Sequence, residues 1–378
     1  MAEDQQGPED PFKLFSAGAD RYASYQEGFG PPAEPGPDPV PAIAPAPEPE
    51  PEVSALPVPL AASVAGKAGA RRVPWWRWWS RNRFPTVEDQ AQMAADETAI
   101  RQWTAPRSRN VLVANIKSSG KTGASLTLGG LIAETRGGSV AITEATPMAG
   151  DLAARAEGRP TIGLGELVKS AHLIRSVGEL SAFTAPQSSL ATVVGSPTHR
   201  APMGGQDVMA VRRVLDTYYQ LTITDTANAT VDMSFRTALA TADAVVVPVV
   251  CSLASIRGAQ AALRAVAEYG TPGLLSRVVV IASHDGGHED PGLAADYIGI
   301  CQGLGHPVLE VPFDPALRND SNEFSISSLS KRSRYAWTRV AATLIETLRH
   351  APADPLVPNH SAGHTPNATT YDNSRKAN

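Results

Sequence analysis

The strongest constraint on the fold of this chain is an alternation of apolar, β-branched runs with helical patterns between residues 107 and 350. The apolar runs lie at 110–115, 139–143, 190–195, 219–224, 244–250, 277–283 and 307–312. The patterns predict helices at 122–135, 207–217, 254–269 and 331–349. Strands that are apolar throughout are typical of a parallel sheet covered on both faces. The sequence therefore predicts an α/β domain over 107–350, with a mostly parallel β-sheet and helices on both faces.

The flanks of this domain have a different composition. Residues 31–60 contain 12 prolines, which block helix and sheet pairing and favour a semi-extended chain. We expect residues 1–85 to form a disordered, proline-rich arm, and residues 86–106 to form a helix that leads into the domain. Residues 351–378 are polar and rich in proline and asparagine, so we expect a disordered tail.

The end of the arm carries a tryptophan- and arginine-rich segment at residues 71–84. Four of the six tryptophans of the chain lie within it, and five arginines lie around them. Aromatic rings with cationic neighbours suit a membrane interface, and they also suit stacking on nucleic acid. The same rings could instead pack on the folded domain, on a second copy or on another protein. The segment alone leaves these alternatives open.

Bulk composition narrows the class of protein. The net charge of −5 gives no general attraction to nucleic acid or anionic membrane. The two cysteines, Cys251 and Cys301, have no metal-ligand spacing and suit a reducing compartment. The acidic N-terminal residues do not resemble a signal peptide, and no apolar run is long enough for a membrane span. We therefore expect a cytoplasmic protein, with nucleoid or membrane association as further alternatives.

A glycine-lysine-threonine triplet follows the first apolar run. Gly120, Lys121 and Thr122 stand between that run and a helical pattern, where backbone N–H groups and the positive end of a helix attract an anion. In such a loop the lysine contacts the β- and γ-phosphates of a nucleotide and the threonine hydroxyl ligates Mg²⁺. The common P-loop pattern has a glycine where this chain has Asn115. The sequence predicts a phosphate site, with a plain strand-to-helix turn as the alternative.

An acidic residue follows another apolar run. Asp225 comes directly after the run at 219–224, and an aspartate in that place can support the Mg²⁺ of a nucleotide site. The alternative is an aspartate that only caps a turn or helix.

Taken in order, the motifs resemble the ParA/MinD-like ATPases of the deviant Walker-A type, from about residue 109 to 350. The sequence VANIKSSGKT, from Val113 to Thr122, is similar to the VAN-x-KGG-x-GKT of that family but is one residue shorter. This match places Lys117 on the signature lysine of the family. Ser118, Ser119 and Gly120 then form the rest of the phosphate loop.

Later segments extend the resemblance. SVAITEATPMAG resembles the strand that ends in D-x-D-P, which places Glu144 on the aspartate that orients the attacking water. TITDTAN resembles the strand that ends in DTPP and places Asp225 on the Mg²⁺-side aspartate. VPFDPALR resembles the adenine-side loop, with Pro312, Phe313 and Asp314 near the base. In place of the usual base-reading asparagine stands Ser283 or His284.

The resemblance implies ATP and Mg²⁺ as cofactors and a nucleotide-dependent homodimer in which Lys117 reaches the phosphates of the partner. Three departures from the family pattern bear on catalysis: the loop is one residue short, two serines replace glycines, and Glu144 replaces aspartate. We therefore expect nucleotide binding with slow hydrolysis. Such a protein would partition or position plasmid or chromosomal DNA, or a protein assembly. The alternatives are a non-hydrolysing scaffold that acts through its arm, and an ATPase that serves a secretion or conjugation apparatus at the membrane.

The implied partners follow from the same resemblance. The arm would bind a cargo or activator protein, and residues 71–84 would make any peripheral membrane contact. Non-specific DNA is a further candidate, because four basic residues stand near the start of the last predicted helix. These are Lys331, Arg332, Arg334 and Arg339.

Overall fold

A computed structural model describes residues 85–353, apart from 117–118, 159, 161, 197–199, 251, 285–290 and 319–322. The predicted arm, its segment at 71–84, the tail beyond 353, and the predicted site residues Lys117 and Ser118 lie outside the described residues.

The centre of the domain is an eight-stranded sheet in the order β3-β4-β2-β5-β1-β6-β7-β8. Every neighbouring pair is parallel except β3 with β4. The strands are β1 Arg109–Val113, β2 Val140–Ala145, β3 Ala185–Pro186, β4 Thr192–Val194, β5 Leu221–Thr226, β6 Ala244–Val250, β7 Val278–Ser283 and β8 Val308–Val311. The predicted α/β class with a mostly parallel sheet is therefore confirmed.

Eleven helices are assigned in the described part of the chain, beside two short 3₁₀ turns, Leu275–Arg277 and Ile326–Ser328. Six of them exceed ten residues. The helices are α1 Val87–Gln102, α2 Lys121–Arg136, α3 Leu152–Arg155, α4 Leu164–Ser170, α5 Val177–Ser181, α6 Gly205–Tyr218, α7 Met233–Ala240, α8 Leu253–Tyr269, α9 Pro291–Gly303, α10 Pro315–Arg318 and α11 Lys331–Arg349.

The helices bury both faces of the sheet in two hydrophobic clusters. Successive residues of β1 contribute to different clusters. Leu112 belongs to the cluster under α4, α6, α7 and α8, whereas Val111 and Val113 belong to the cluster under α1, α2 and α11. Because successive side chains of a strand point to opposite faces, a strand covered on both sides is apolar over most of its length. All five residues of β1 are buried. No helix of the described residues is long and apolar enough to cross a bilayer.

Helix α1 is capped at its start and packs on the domain at its end. Thr86 caps it, since its hydroxyl accepts from the Asp89 N–H and its own N–H donates to the Asp89 carboxylate. At the other end Ile100 and Trp103 are buried. The Arg136 guanidinium lies 5.1 Å from the centre of the Trp103 ring and donates to the Ile100 and Trp103 carbonyls. The lead-in segment thus packs on the sheet domain.

A buried carboxylate fastens the start of β1 to the start of β6. Asp243 accepts hydrogen bonds from Arg107 at 2.5 Å, from Arg109 at 3.1 Å and from the Asn110 N–H at 2.9 Å. Arg109 also donates to the Pro352 carbonyl, so the same cluster holds the chain just after α11.

Replacing Asp243 by alanine is expected to lower the free energy of unfolding by about 3–5 kcal/mol, because the arginines around it lose their shared counter-charge. Denaturant unfolding of the full chain measures this change. Glu346→Ala is the control, since its side chain is 65% exposed and pairs with Arg349 on the surface; we expect a change within about 1 kcal/mol. Equal effects of the two substitutions would contradict the structural role of the cluster.

Candidate functional site

A cleft of about 640 Å³ lies at the carboxyl ends of the strands. Residues that follow β1, β2, β5, β7 and β8, and the last part of β6, line it. Ligands of open α/β sheets bind at this edge, because loops and helix starts converge there. The candidate site is therefore built by the loops after several strands.

The loop after β1 turns into α2 at Gly120. Its backbone is left-handed, with φ 74° and ψ 26°, a conformation that glycine adopts without strain. Among the described residues no side chain caps this helix. The N–H groups of the first turn of α2 therefore have no partner within the helix and carry its positive end. This is the geometry that binds a phosphate.

Lys121 is the first residue of α2, and its side chain is buried in the wall of the cleft. Its ammonium donates a hydrogen bond of 2.6 Å to the side-chain oxygen of Asn228. Burial lowers the pKa of Lys121, and the nearby charge of Asp225 opposes that shift. A buried cation held by a neutral acceptor can receive an anion.

Thr122 and Asp225 meet across the cleft. The Thr122 hydroxyl donates to one Asp225 carboxylate oxygen at 2.7 Å. The other oxygen, Oδ1, is buried and has no hydrogen-bond partner among the described residues. Burial raises the pKa of Asp225 to about 6, although Thr122 and Lys121 act to lower it. An unpaired buried carboxylate oxygen beside a hydroxyl suits Mg²⁺, which prefers oxygen ligands.

The described residues contain no group of three or more histidine, cysteine, aspartate or glutamate side chains that could hold a metal by themselves. Mg²⁺ commonly keeps several waters and binds through one or two protein oxygens together with substrate phosphates. The pair of Thr122 and Asp225 fits that arrangement.

Glu144 lies beside Asp225 in the sheet, since the two residues pair in register between β2 and β5. Burial raises the pKa of its carboxyl. Glu144 is not among the described residues that line the cleft, whereas Thr146, Pro147, Met148, Ala149 and Gly150 of the loop after β2 do line it. The Gly150 N–H donates to its Oε1 at 3.4 Å, and a Cβ at position 150 would lie 2.5 Å from its Oε2. The predicted water-orienting acid therefore lies behind the loop Thr146–Gly150.

Arg200, which no sequence motif indicated, holds this loop. Its guanidinium donates to the carbonyls of Thr146 at 2.7 Å, Pro147 at 3.0 Å and Met148 at 2.9 Å. It also lies 3.8 Å from Glu144 Oε1. Carbonyl groups from one loop thus satisfy a buried arginine, which fixes the loop over Glu144.

The residues after β8 form the opposite wall. Pro312, Phe313 and Asp314 all line the cleft. The Arg318 guanidinium lies 5.9 Å from the centre of the Phe313 ring, so this wall offers an aromatic face and a planar cation. The Asp314 carboxylate is already used, because it accepts from the N–H groups of Ala316 and Ser330, both at 3.0 Å. Its side chain therefore anchors α10 and α11.

Asn115 and Ser119 have different surroundings. The Asn115 side-chain amide donates to the Pro248 carbonyl at 2.7 Å and to the Ser255 carbonyl at 3.2 Å. It thus ties the loop to β6 and α8. The Ser119 hydroxyl is buried and has no hydrogen-bond partner among the described residues, and Ser119 lines the cleft.

Two of the four basic residues at the start of α11 are used within the chain. Arg334 pairs with Glu134, and Arg339 pairs with Asp96 at 2.7 Å. Lys331 and Arg332 are exposed. These ion pairs neutralise two of the four positive charges of the predicted DNA-binding face. DNA binding stays a prediction.

Comparison with known proteins gave matches in structure only. No family model matches the chain, and no curated protein is similar to it. A ParA family ATPase from Chlorobium tepidum is 15% identical, with 65% of this chain and 99% of that chain covered and a TM-score of 0.48. The cell division ATPase MinD of Pyrococcus furiosus is 14% identical, with 64% and 99% covered and a TM-score of 0.47.

A third solved structure has a different activity. It is cobyrinic acid a,c-diamide synthase from Mycobacterium smegmatis with a bound ATP analogue and magnesium, and it is 16% identical. The match covers 66% of this chain and 99% of that chain, with a TM-score of 0.45. ParA and MinD are proteins that the sequence motifs resemble. The function of this cleft has to be argued from its own residues, because one fold can carry several activities.

Proposed function

We propose that this chain is a P-loop protein that binds ATP with Mg²⁺ and hydrolyses it slowly. The observation that carries the proposal is the meeting of Lys121, Thr122 and Asp225 at the uncapped start of α2. The N–H groups of α2 and the Lys121 ammonium hold the phosphates. The Thr122 hydroxyl and Asp225 hold the metal, which neutralises phosphate charge when bound. Phe313 and Arg318 offer the base a stacking surface.

Slow hydrolysis follows from the position of Glu144. A carboxylate that orients water must come within hydrogen-bond reach of that water. The loop Thr146–Gly150 lies between Glu144 and the cleft, so it has to move before Glu144 can act. Lys117, by the resemblance of the loop, is the residue that reaches the phosphates of a partner subunit.

Exposed apolar side chains near the mouth of the cleft support a nucleotide-dependent homodimer. Met148 and Phe313 line the cleft and are exposed. Val231, which is 70% exposed, and Met233 follow shortly after Asn228 in the chain. Such residues lose unfavourable water contact when a second copy covers them. Through this dimer the protein positions DNA or a protein assembly in the cytoplasm, with the N-terminal arm binding a cargo or activator.

A second candidate function is a nucleotide-binding scaffold that does not hydrolyse ATP. The covered position of Glu144 favours it. Binding and turnover of Mg-ATP, measured on the full chain by calorimetry and phosphate release, separate the two functions. The Glu144→Gln variant is expected to bind ATP within about threefold of wild type and to lose turnover about 100-fold.

The same fold should persist in Glu144→Gln, because burial already favours the neutral carboxyl that glutamine mimics. Glu166→Gln is the control, since this half-exposed side chain pairs with Lys169 on the surface of α4. Binding without turnover in wild type, also with DNA or lipid vesicles present, would favour the scaffold. Absence of Mg-ATP binding would overturn the proposal.

A further inference from the structure

The direct partner of Lys121 is a neutral side chain. Asn228 lies three residues after Asp225, in the loop beyond β5, and is exposed at the cleft. Its Oδ1 accepts the 2.6 Å hydrogen bond from Lys121 Nζ. A neutral carboxamide holds an ammonium less tightly than a carboxylate would, because it adds no attraction between opposite charges. The carboxamide therefore holds the lysine in place and can yield it to a phosphate.

This residue also departs from the motif that the chain resembles. Where DTPP has its second proline, this chain has Asn228. A proline side chain offers no hydrogen-bonding group, whereas an asparagine carboxamide has one acceptor oxygen and two N–H donors. A polar group that can both accept and donate has thus been placed 2.6 Å from the ammonium of the proposed phosphate lysine.

We propose that Asn228 senses the terminal phosphate of a nucleoside triphosphate. In this structure its oxygen accepts the hydrogen bond from Lys121. When Lys121 turns to the phosphates, the amide of Asn228 donates to an oxygen of the terminal phosphate. This inference rests on the proposed nucleotide binding and adds a residue that distinguishes triphosphate from diphosphate.

Charge at position 228 gives the sharpest test. In Asn228→Asp a carboxylate would pair with Lys121 and repel phosphate, because opposite charges attract and like charges repel at this range. We expect the affinity for Mg-ATP to fall at least tenfold.

In Asn228→Ala the donor to the terminal phosphate is lost, while Lys121 is released from its partner. We expect Mg-ATP to bind about tenfold more weakly and Mg-ADP to bind as tightly as before, or more tightly.

Calorimetric titration of the full-length wild type and both variants with Mg-ATP and Mg-ADP measures these changes. Thermal unfolding of each variant checks the fold, which should persist because Asn228 is exposed. Gln90→Glu, on the exposed surface of α1, is the control for one added negative charge. Glu144→Gln and Lys121→Ala in the same series report separately on hydrolysis and on the site.

The outcomes are distinguishable. A selective loss of ATP affinity in Asn228→Ala, with the larger loss in Asn228→Asp, supports the inference. If wild type binds ATP and Asn228→Asp binds it as Gln90→Glu does, the inference is overturned while the nucleotide site stands. An equal loss of ATP and ADP affinity in Asn228→Ala overturns the sensing role. If wild type binds neither nucleotide, the proposed function and this inference are both overturned.

Discussion

Replacing Lys121 by alanine is expected to weaken Mg-ATP binding about 100-fold or more, without loss of stability. The Lys121 ammonium lies at the start of α2, next to Thr122 and within reach of Asn228. A charge-assisted contact with the phosphates is worth about tenfold to 100-fold in affinity, and the substitution also removes the positive charge from a partly desolvated site. The folded chain should tolerate the change, because burial of Lys121 disfavours its charged form and lowers its pKa.

Calorimetry and thermal unfolding on the same samples separate binding from folding. Lys169→Ala is the matched control, since Lys169 is 73% exposed on α4 and pairs with Glu166; we expect wild-type affinity and stability. A Lys121→Ala protein that binds Mg-ATP as tightly as wild type would remove Lys121 from the site. A protein that loses binding together with most of its stability would give Lys121 a structural role instead.

The central sheet could be predicted from the sequence because its physical cause is local. Strands inside a covered sheet are rich in apolar residues, so the apolar runs of the sequence located β1, β2 and β4 to β8. The edge strand Ala185–Pro186 could not be found, since it has only two residues and one of them is a proline. Short helices such as Leu152–Arg155 and Val177–Ser181 were missed because one or two turns carry too little periodicity.

The sequence predicted the part of the site that lies at the carboxyl ends of the strands. Lys121, Thr122 and Asp225 converge because their strands, β1 and β5, are parallel neighbours whose carboxyl ends share one edge. The contacts of Asn228 and Arg200 were missed because they depend on how loops fold back over that edge. Nothing in the sequence placed the Thr146–Gly150 loop over Glu144, since that position follows from the carbonyl groups gathered around Arg200.

Asp225 connects the chemistry of the site to the stability of the fold. Its side chain is 4% exposed, and burial raises its pKa from an ordinary value of 3.8 to about 6. Between these two values the folded chain binds more protons than the unfolded chain. Stability therefore falls as pH rises from about 4 to about 6, and the cost remains at higher pH. A shift of roughly two pKa units corresponds to about 3 kcal/mol.

Replacing Asp225 by asparagine is therefore expected to stabilise the protein without nucleotide at pH 7.5, by up to about 3 kcal/mol, and to remove the benefit of Mg²⁺ for ATP binding. The amide oxygen can still accept the hydrogen bond from Thr122, but a neutral amide is a weaker ligand for Mg²⁺ than a carboxylate. Denaturant unfolding at pH 4.5, 6 and 7.5 should show the gain of Asp225→Asn shrinking as pH falls. Titration of ATP with and without Mg²⁺ should show the loss.

The control for this substitution is Asp232→Asn at the start of α7, where the Asp232 side chain makes no capping hydrogen bond; we expect a change below about 0.5 kcal/mol. If Asp225→Asn raises the stability of the protein and lowers its Mg²⁺-dependent ATP binding, then the Asp225 carboxylate destabilises the fold and is kept because a ligand needs it. If the variant is instead less stable than wild type at pH 7.5 and still binds Mg-ATP equally well, Asp225 belongs to the structural framework, and the metal must be held elsewhere.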